Sequence, residues 1–393
     1  MNETQLRADL GTLSPSLRAR LDAAGFDVER LVLLASPLWS RARGDASADR
    51  DDRNRVRGVV EPPRDGDVRD APVPGTAEHG RLSEVGLQAI RRGELAFCVM
   101  AGGMATRMGG VVKALVEAFD GHTFLDLRLG ENATWSKRAG RPLPLWLMTS
   151  DPTEAPTRQA LTRSGAPPHV AVFAQDLGLR LTREGALFRG DDGQPSTYAP
   201  GHGDLPDALR RSGLLSAFVA SGGKHVWIAN LDNLGAAVDA ALLGHFIETG
   251  ADVMVEAAPK VAWDKGGIPV WADTHDPAGR VTRRLQVLEE FRLPQGFDAA
   301  AVRVFNTNTF LVRAEALGAR VHWSWFEVEK KVGARTAVQF ERLLQELTSA
   351  LPAAYVRVPR DGPGARFLPV KDHDELARRR DDIRAIASDR GML

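Results

Sequence analysis

The chain has 393 residues, 43% of them hydrophobic and 26% charged, which is the composition of a folded globular protein and excludes wholesale disorder. Lys plus Arg number 51 and Asp plus Glu number 51, so the formal net charge is zero. A protein built to coat nucleic acid or an anionic membrane carries a basic excess, so any phosphate site here has to be a local arrangement of a few groups.

The length fits one large α/β domain with an extension, or two domains. From Thr4 to Ala35 leucines and alanines recur at helical spacing, interrupted at Ser14-Pro15 and Gly25, which predicts a small helical cap. Residues 41–80 contain a dense charge run, Gly44 to Arg55, followed by four prolines between Pro62 and Pro74. That composition predicts an extended, partly mobile connector, with an ordered arm wrapping the core as the alternative. We divide the chain into an N-terminal cap and connector (1–84), a catalytic domain (85–375) and a short C-terminal helix (376–393).

Beyond residue 94, short apolar runs alternate with helical patterns. Strands are expected at Leu95–Ala101, Leu143–Thr149, His169–Gln175, His225–Asn230 and Asp252–Ala257, and again near Val304–Val312. Helices are expected at Thr153–Arg163, Asp204–Ala220, Ala236–Thr249, Thr336–Ser349 and Asp372–Ser388. The alternation predicts an α/β fold with a doubly wound, mostly parallel sheet, whose ligand sits at the carboxyl ends of the strands. The single cysteine, Cys98, lies in an apolar run and supports neither an intrachain disulfide nor a multi-cysteine zinc site. The polar, acid-bearing start is unlike a secretory signal, and no run reaches the ~18 apolar residues of a membrane span. A cytoplasmic protein without membrane or nucleic-acid partners is therefore expected.

The first strand runs into Ala101-Gly102-Gly103-Met104-Ala105-Thr106-Arg107-Met108-Gly109-Gly110, followed by Lys113. Adjacent glycines at a strand end permit a sharp turn and close approach of a ligand, and free N–H groups with Arg107 and Lys113 could cradle phosphate. The spacing is neither a P-loop nor a dinucleotide fingerprint, and a plain tight turn explains it equally well in isolation.

The wording of this turn resembles the L-x-G-G-x-G-T-x-x-G…K signature of nucleotidyltransferases that join a nucleoside triphosphate to a sugar 1-phosphate. The resemblance continues through His122-Thr123-Phe124-Leu125-Asp126-Leu127, Pro144 to Ser150 with Thr153 and Thr157, Pro200-Gly201-His202-Gly203-Asp204 and Asn230-Leu231-Asp232-Asn233-Leu234-Gly235-Ala236. It extends to Lys265-Gly266-Gly267, Phe305-Asn306-Thr307-Asn308 and Phe367-Leu368-Pro369-Val370-Lys371. Eight segments in order over about residues 95–372 make the chain similar to the UDP-glucose pyrophosphorylase (UDPGP) family.

The resemblance implies a nucleotide-diphospho-sugar transferase (GT-A-like) fold and a reaction of UTP with a sugar 1-phosphate, the phosphate oxygen attacking the α-phosphorus in line. It places Met100, Ala101, Gly102, Gly103, Gln175, Gly201 and Asp232 on the nucleotide. His202, Asn230, Leu231, Glu289, Asn306 and Asn308 fall on the sugar phosphate, Lys113, Lys260 and Lys371 among the catalytic charges, and Asp232 on Mg2+. Structural alternatives stand beside these roles: Gln175 as a polar strand end, Asp232 with Asn233 as an Asx cap, and Glu290 as the rival of Glu289. Asp204 is expected to cap the helix that follows it.

Ala105 stands where the family has glycine, Val112 where it has proline, and the Gly102–Lys113 spacing is one residue short; Ala105 fits only with a negative φ. The Gly-His-Gly-Asp and Leu-Asp-Asn-Leu-Gly segments favour glucose 1-phosphate. Arg107 in Ala-Thr-Arg-Met-Gly instead resembles the N-acetylhexosamine 1-phosphate relatives, leaving those or a broad-specificity enzyme as alternatives. A non-catalytic nucleotide-sugar-binding regulator is the reading from another class; a dehydrogenase rests on fold alone. About twenty residues follow Lys371, so the β-helical assembly tail of the eukaryotic glucose branch is expected to be absent, and a monomer or small homo-oligomer is expected.

Overall fold

The apolar runs assemble into one eight-stranded sheet in the computed structural model, which describes all residues except 46–48, 106–107, 263, 265, 276–279, 320 and 363. In chain order the strands are β1 (Val68–Asp70), β2 (Leu95–Met100), β3 (Leu145–Thr149), β4 (Val170–Ala174), β5 (His225–Asn230), β6 (Val253–Pro259), β7 (Val304–Arg313) and β8 (Ala353–Arg357). Across the sheet they run β1-β8-β6-β7-β5-β2-β3-β4. Every neighbouring pair is parallel except the two made by β7. The expected mixed, mostly parallel sheet is thus present, with its strand boundaries within two residues of the apolar runs.

The sequence of β2 shows why the sheet is covered on both faces. Leu95, Phe97 and Val99 enter one core with helices Ala77–Arg92, Phe124–Ala139, Ala240–Thr249 and His373–Asp389. The alternate residues Ala96, Cys98 and Met100 enter a second core with helices Leu205–Arg211 and Leu214–Ala220. A strand buried on both faces reads as a continuous apolar run, as β2 does. The expected helix Asp204–Ala220 is therefore two helices, separated at Gly213, whose φ of 78° breaks the helical path.

Two expectations are corrected. Thr336–Ser349 is not a helix: Arg335–Glu341 is a strand paired with Phe326–Val332, followed by a 3-10 turn at Leu344–Glu346 and one helical turn at Leu347–Ala350. Val338 and Phe340 alternate into the core of the N-terminal cap beside Leu179 and Leu181, so cross-strand burial overrides the helical spacing of Leu343, Leu344 and Leu347. The connector is an ordered arm. Asn54 exchanges hydrogen bonds with the Glu327 backbone, Val60–Glu61 pairs with the hairpin Ile268–His275/Val281–Leu288, and β1 completes the sheet edge. That hairpin carries none of the expected strands. The cap itself is three helices, Glu3–Gly11, Pro15–Ala23 and Val28–Ala42, with Asn2, Ser14 and Asp27 each capping one.

Candidate active site

The carboxyl ends of β2, β3, β4, β5 and β6 open onto one rim of the sheet. Because β7 runs the other way, its opening residues Asn306 and Asn308 arrive at that same rim. A ligand site at this edge of an open α/β sheet follows from the topology.

On one side, the Ala101 N–H donates to the Met148 carbonyl at 2.8 Å and Ser150 Oγ donates to the Gly102 carbonyl at 2.7 Å. Gln175 is held at the end of β4 by its N–H to the Thr149 carbonyl. A Cβ on Gly102 would lie 2.4 Å from Gln175 Nε2, so glycine is what lets this carboxamide lie against the turn. Among the described residues Gln175 Oε1 is buried with no hydrogen-bond partner, leaving an acceptor next to two amide donors.

Beyond the glycine turn Met104–Ala105 pairs antiparallel with Val111–Val112, and Lys113 follows directly. Among described non-glycine residues only Asp120 and Asn308 have positive φ, so Ala105 meets the condition set by the sequence. The Lys113 N–H donates to the Gly103 carbonyl, and Lys113 Nζ donates to Asp232 Oδ2 at 2.6 Å. The same oxygen accepts from the Val370 N–H at 3.3 Å, and the next residue, Lys371, is exposed. Asp232 therefore links the glycine turn to the Phe367–Lys371 segment, while Asn233 binds that segment through Arg366 O and Leu368 N. Lys260 Nζ lies 3.6 Å from Glu290 Oε1.

The rim continues through Asn230. Its Oδ1 accepts from Asn308 Nδ2 at 3.2 Å, Asn306 Oδ1 accepts from the Asn308 N–H, and the Asn306 N–H donates to Gly267 O. Asn308 adopts φ 62°, a conformation asparagine tolerates better than most residues, at a bulge in the β6–β7 pairing. Leu231 gives backbone only: its N–H reaches the Met100 carbonyl and its side chain is core. Glu289 receives Gln345 Nε2 at 2.5 Å, whereas its rival Glu290 is exposed. Burial pushes Glu289 up to about 7, with Glu290 and Glu346 adding to the effect and the Gly267 N–H opposing it.

Gly201 and Gly203 are glycines because residue 342 passes behind them. A Cβ on Gly201 would stand 2.7 Å from Arg342 O, and one on Gly203 would stand 2.6 Å from Arg342 C. His202 Nδ1 accepts from the Leu344 N–H at 2.9 Å. That bond fixes the tautomer with its proton on Nε2, and burial pushes the imidazole down to about 4. Asp204 does not cap the following helix; it is fully buried against Arg342. Burial and the neighbouring Asp176 push Asp204 up, with Arg342 opposing.

Three residues of this construction escaped the sequence reading. Arg128, wholly buried, donates to the carbonyls of Asn230 and Asn233 and to Glu131, whose other oxygen accepts from the Val238 N–H. The signal was available as an Arg and a Glu three apart on an otherwise apolar helix face. Arg342 and Gln345 lay in the segment misread as a helix. Arg107 and Lys265 lie outside the described residues.

Asp232 is the carboxylate expected to meet Mg2+. Both of its hydrogen bonds fall on Oδ2, and among the described residues no group of three or more His, Cys, Asp or Glu forms a metal cage. A single hard oxygen ligand suits an ion that draws the rest of its shell from phosphates and water, so the residues fit the group.

The fold and most of the chain have relatives. Solved structures with this architecture include the uridine diphosphate N-acetylglucosamine pyrophosphorylase of Trypanosoma brucei (TM-score 0.72, 21% identity, 96% of this chain and 81% of that one). The UDP-glucose phosphorylase of the same organism is similar at TM-score 0.71 and 21% identity, over 92% of this chain and 77% of that one. In sequence, the UTP–glucose-1-phosphate uridylyltransferase of Saccharomyces cerevisiae is 31% identical over 308 residues, 74% of this chain and 60% of that protein. That of Musa acuminata is 31% identical over 300 residues, 72% of this chain and 62% of that protein. The chain thus aligns with about 60% of the length of these curated relatives. The family model for UTP–glucose-1-phosphate uridylyltransferase (UDPGP) matches residues 78–389, and the chain belongs to that family.

Proposed function

We propose that the protein is a uridylyltransferase that makes UDP-glucose and pyrophosphate from UTP and glucose 1-phosphate. The observation that carries this reading is the junction of Lys113, Asp232 and the Val370 backbone N–H. It gathers cation, carboxylate and backbone beside a glycine turn at the rim where a nucleotide would lie. In-line attack by a phosphate oxygen on the α-phosphorus needs no protein nucleophile; it needs two polyanions aligned and their charge offset. Gln175 would read the uracil edge against Gly102, with Gly201 giving backbone to the base. Lys113 and Lys371 would balance the leaving pyrophosphate, and Lys260 the incoming phosphate. Asp232 would hold Mg2+, which when bound supplies charge neutralisation at the phosphates.

His202, neutral and donating through Nε2, would meet the sugar phosphate without acting as a base. Asn230, Asn306, Asn308 and Glu289 would receive the hexose hydroxyls, for which paired donors and acceptors are the right chemistry. A cytoplasmic setting and a monomer or small homo-oligomer belong to the same proposal. No helix among the described residues is long and apolar enough to cross a membrane.

The test is a panel of sugar 1-phosphates with UTP, the products separated and weighed by mass spectrometry. Glucose 1-phosphate is expected to be the preferred acceptor. Preference for an N-acetylhexosamine 1-phosphate would transfer the reading to the hexosamine branch. Nucleotide binding with no product from any sugar would replace it with a non-catalytic nucleotide-sugar-binding regulator.

A further inference from the structure

The sugar side of the rim is assembled on a single buried guanidinium. Arg342 is 2% exposed and lies between the rings of Trp325 and Trp323, at 4.7 and 5.8 Å from their centroids. Its Nε donates to Asp204 Oδ1 at 2.7 Å, Nη1 to Asp207 Oδ2 at 2.5 Å and Nη2 to Asp176 Oδ2 at 3.0 Å. Its backbone is engaged as well, the N–H donating to Pro200 O at 2.7 Å and the carbonyl accepting from Gly203 N at 3.1 Å. All five hydrogen bonds reach the Pro200–Asp207 segment or the residue after Gln175. Two and three residues further on, the chain presents the Leu344 N–H to His202 and the Gln345 amide to Glu289.

We infer that Arg342 is a positioning residue for sugar 1-phosphate recognition: it sets the orientation of His202 and, through Gln345, of Glu289. The inference rests on the proposed reaction, since His202 and Glu289 are its sugar-phosphate and hexose contacts. Arg342 itself, 2% exposed, would act through these neighbours. The Asp204 and Asp207 carboxylates converge on Arg342 from the helix start behind the loop. Asp207 also pairs with Arg210, and Asp176, beside Gln175, faces Arg211 Nη1 at 2.8 Å and Arg30 Nη2 at 3.8 Å. The Gln175 end of β4 therefore retains support when Arg342 is altered, whereas the His202–Leu344 contact loses its anchor. Damage is accordingly expected on the sugar side and not on the base side.

Arg342→Lys keeps one charge but cannot span three carboxylates in a planar fork. In this variant the KM for glucose 1-phosphate is expected to rise about tenfold or more while that for UTP changes less than about threefold. The second readout needs no substrate. Long-range 1H–15N spectra of histidine-labelled protein at pH 7.5 are expected to show His202 as the Nε2–H tautomer in the wild type and as a mixture in the variant. Phe246→Leu, in a helix packed at the opposite end of β5, is the control for lost stability and is expected to change neither readout. Asp207→Asn removes one partly exposed arm and covers the case in which Arg342→Lys does not fold; it is expected to move both readouts the same way by a smaller factor.

Unchanged KM for the sugar and an unchanged tautomer in a folded Arg342 or Asp207 variant would overturn the assignment, as would equal changes in the Phe246 control. If the wild type makes no UDP-sugar, the proposed reaction fails, and the tautomer alone still decides whether Arg342 orients His202.

Discussion

Lys113 and Asp232 lie 119 residues apart in the chain, and Lys113 Nζ donates to Asp232 Oδ2 at 2.6 Å with both side chains largely buried. The pair joins the loop after β2 to the loop after β5, the two strands that run side by side in the middle of the sheet. Ion pairs of this kind contribute little net stability, because desolvation offsets much of the attraction. In the proposed reaction their use is to hold opposite charges where the phosphates would arrive. Lys113→Met is expected to lower kcat by about a hundredfold or more while urea unfolding shows only a modest change in midpoint. A steady-state assay with an unfolding curve on the same sample checks both halves.

Gly102 and Gly103 are adjacent and are expected to respond oppositely to alanine. A Cβ on Gly102 meets Gln175 Nε2 at 2.4 Å, whereas among the described residues a Cβ on Gly103 meets nothing nearer than Lys113 Cδ at 4.0 Å. Gly102→Ala must therefore displace the carboxamide proposed to read uracil, and UTP affinity is expected to fall by about tenfold or more. Gly103→Ala is expected to bind UTP within about threefold of the wild type. Isothermal titration with UTP separates the two; equal losses would show that Gln175 is not the base reader.

His202 gives a pH signature. Its folded value of about 4 lies below the ordinary histidine value, so the unfolded chain binds the proton first as the pH falls. The stabilisation from keeping His202 neutral is complete above about pH 6.5 and is lost as the pH falls through 4. By this linkage it amounts to about 3 kcal/mol, shared in direction by His225, which burial likewise pushes down to about 4. His202→Gln is expected to flatten the acid limb of the stability curve between pH 6.5 and 4, measured by urea unfolding across that range.

Glu289 has the opposite sign. Its folded value of about 7 lies above the ordinary carboxyl value, so its contribution is favourable below about pH 4.5 and is lost as the pH rises through 7. Glu289→Gln is expected to be more stable than the wild type at pH 8 and to bind sugar 1-phosphate more weakly. Thermal melts at pH 5 and pH 8, with KM for the sugar, check this. A variant no more stable at pH 8 than at pH 5, relative to wild type, would contradict it.

The parts of this site that repeat a local pattern were readable from the chain alone. β2 and β5 are unbroken apolar runs ending in loops rich in Gly, Asn and Asp, so the position of Gly102 and of Asn230 to Asp232 at the sheet rim followed from burial and topology. Arg342 and Gln345 could not be read that way. Their roles come from pairing Arg335–Glu341 against Phe326–Val332 and from carboxylates at Asp176, Asp204 and Asp207, contacts between 135 and 166 residues apart for Arg342. Local leucine spacing pointed to a helix, and the long-range burial of Val338 and Phe340 overruled it. Asp204 failed for the same reason: a helix-start aspartate is ordinarily a cap, and nothing nearby in sequence announces a buried arginine. The arm over residues 49–70 was equally hidden, since charge and proline suggest mobility until Glu327 and the edge of β8 are there to receive it.

The most direct measurement is pyrophosphate release from purified protein with UTP, glucose 1-phosphate and Mg2+, alongside Asp232→Ala. The account predicts release by the wild type and a loss of about a hundredfold or more in a variant that still folds. Undiminished release by Asp232→Ala would contradict the placement of the chemistry at the Lys113–Asp232 junction.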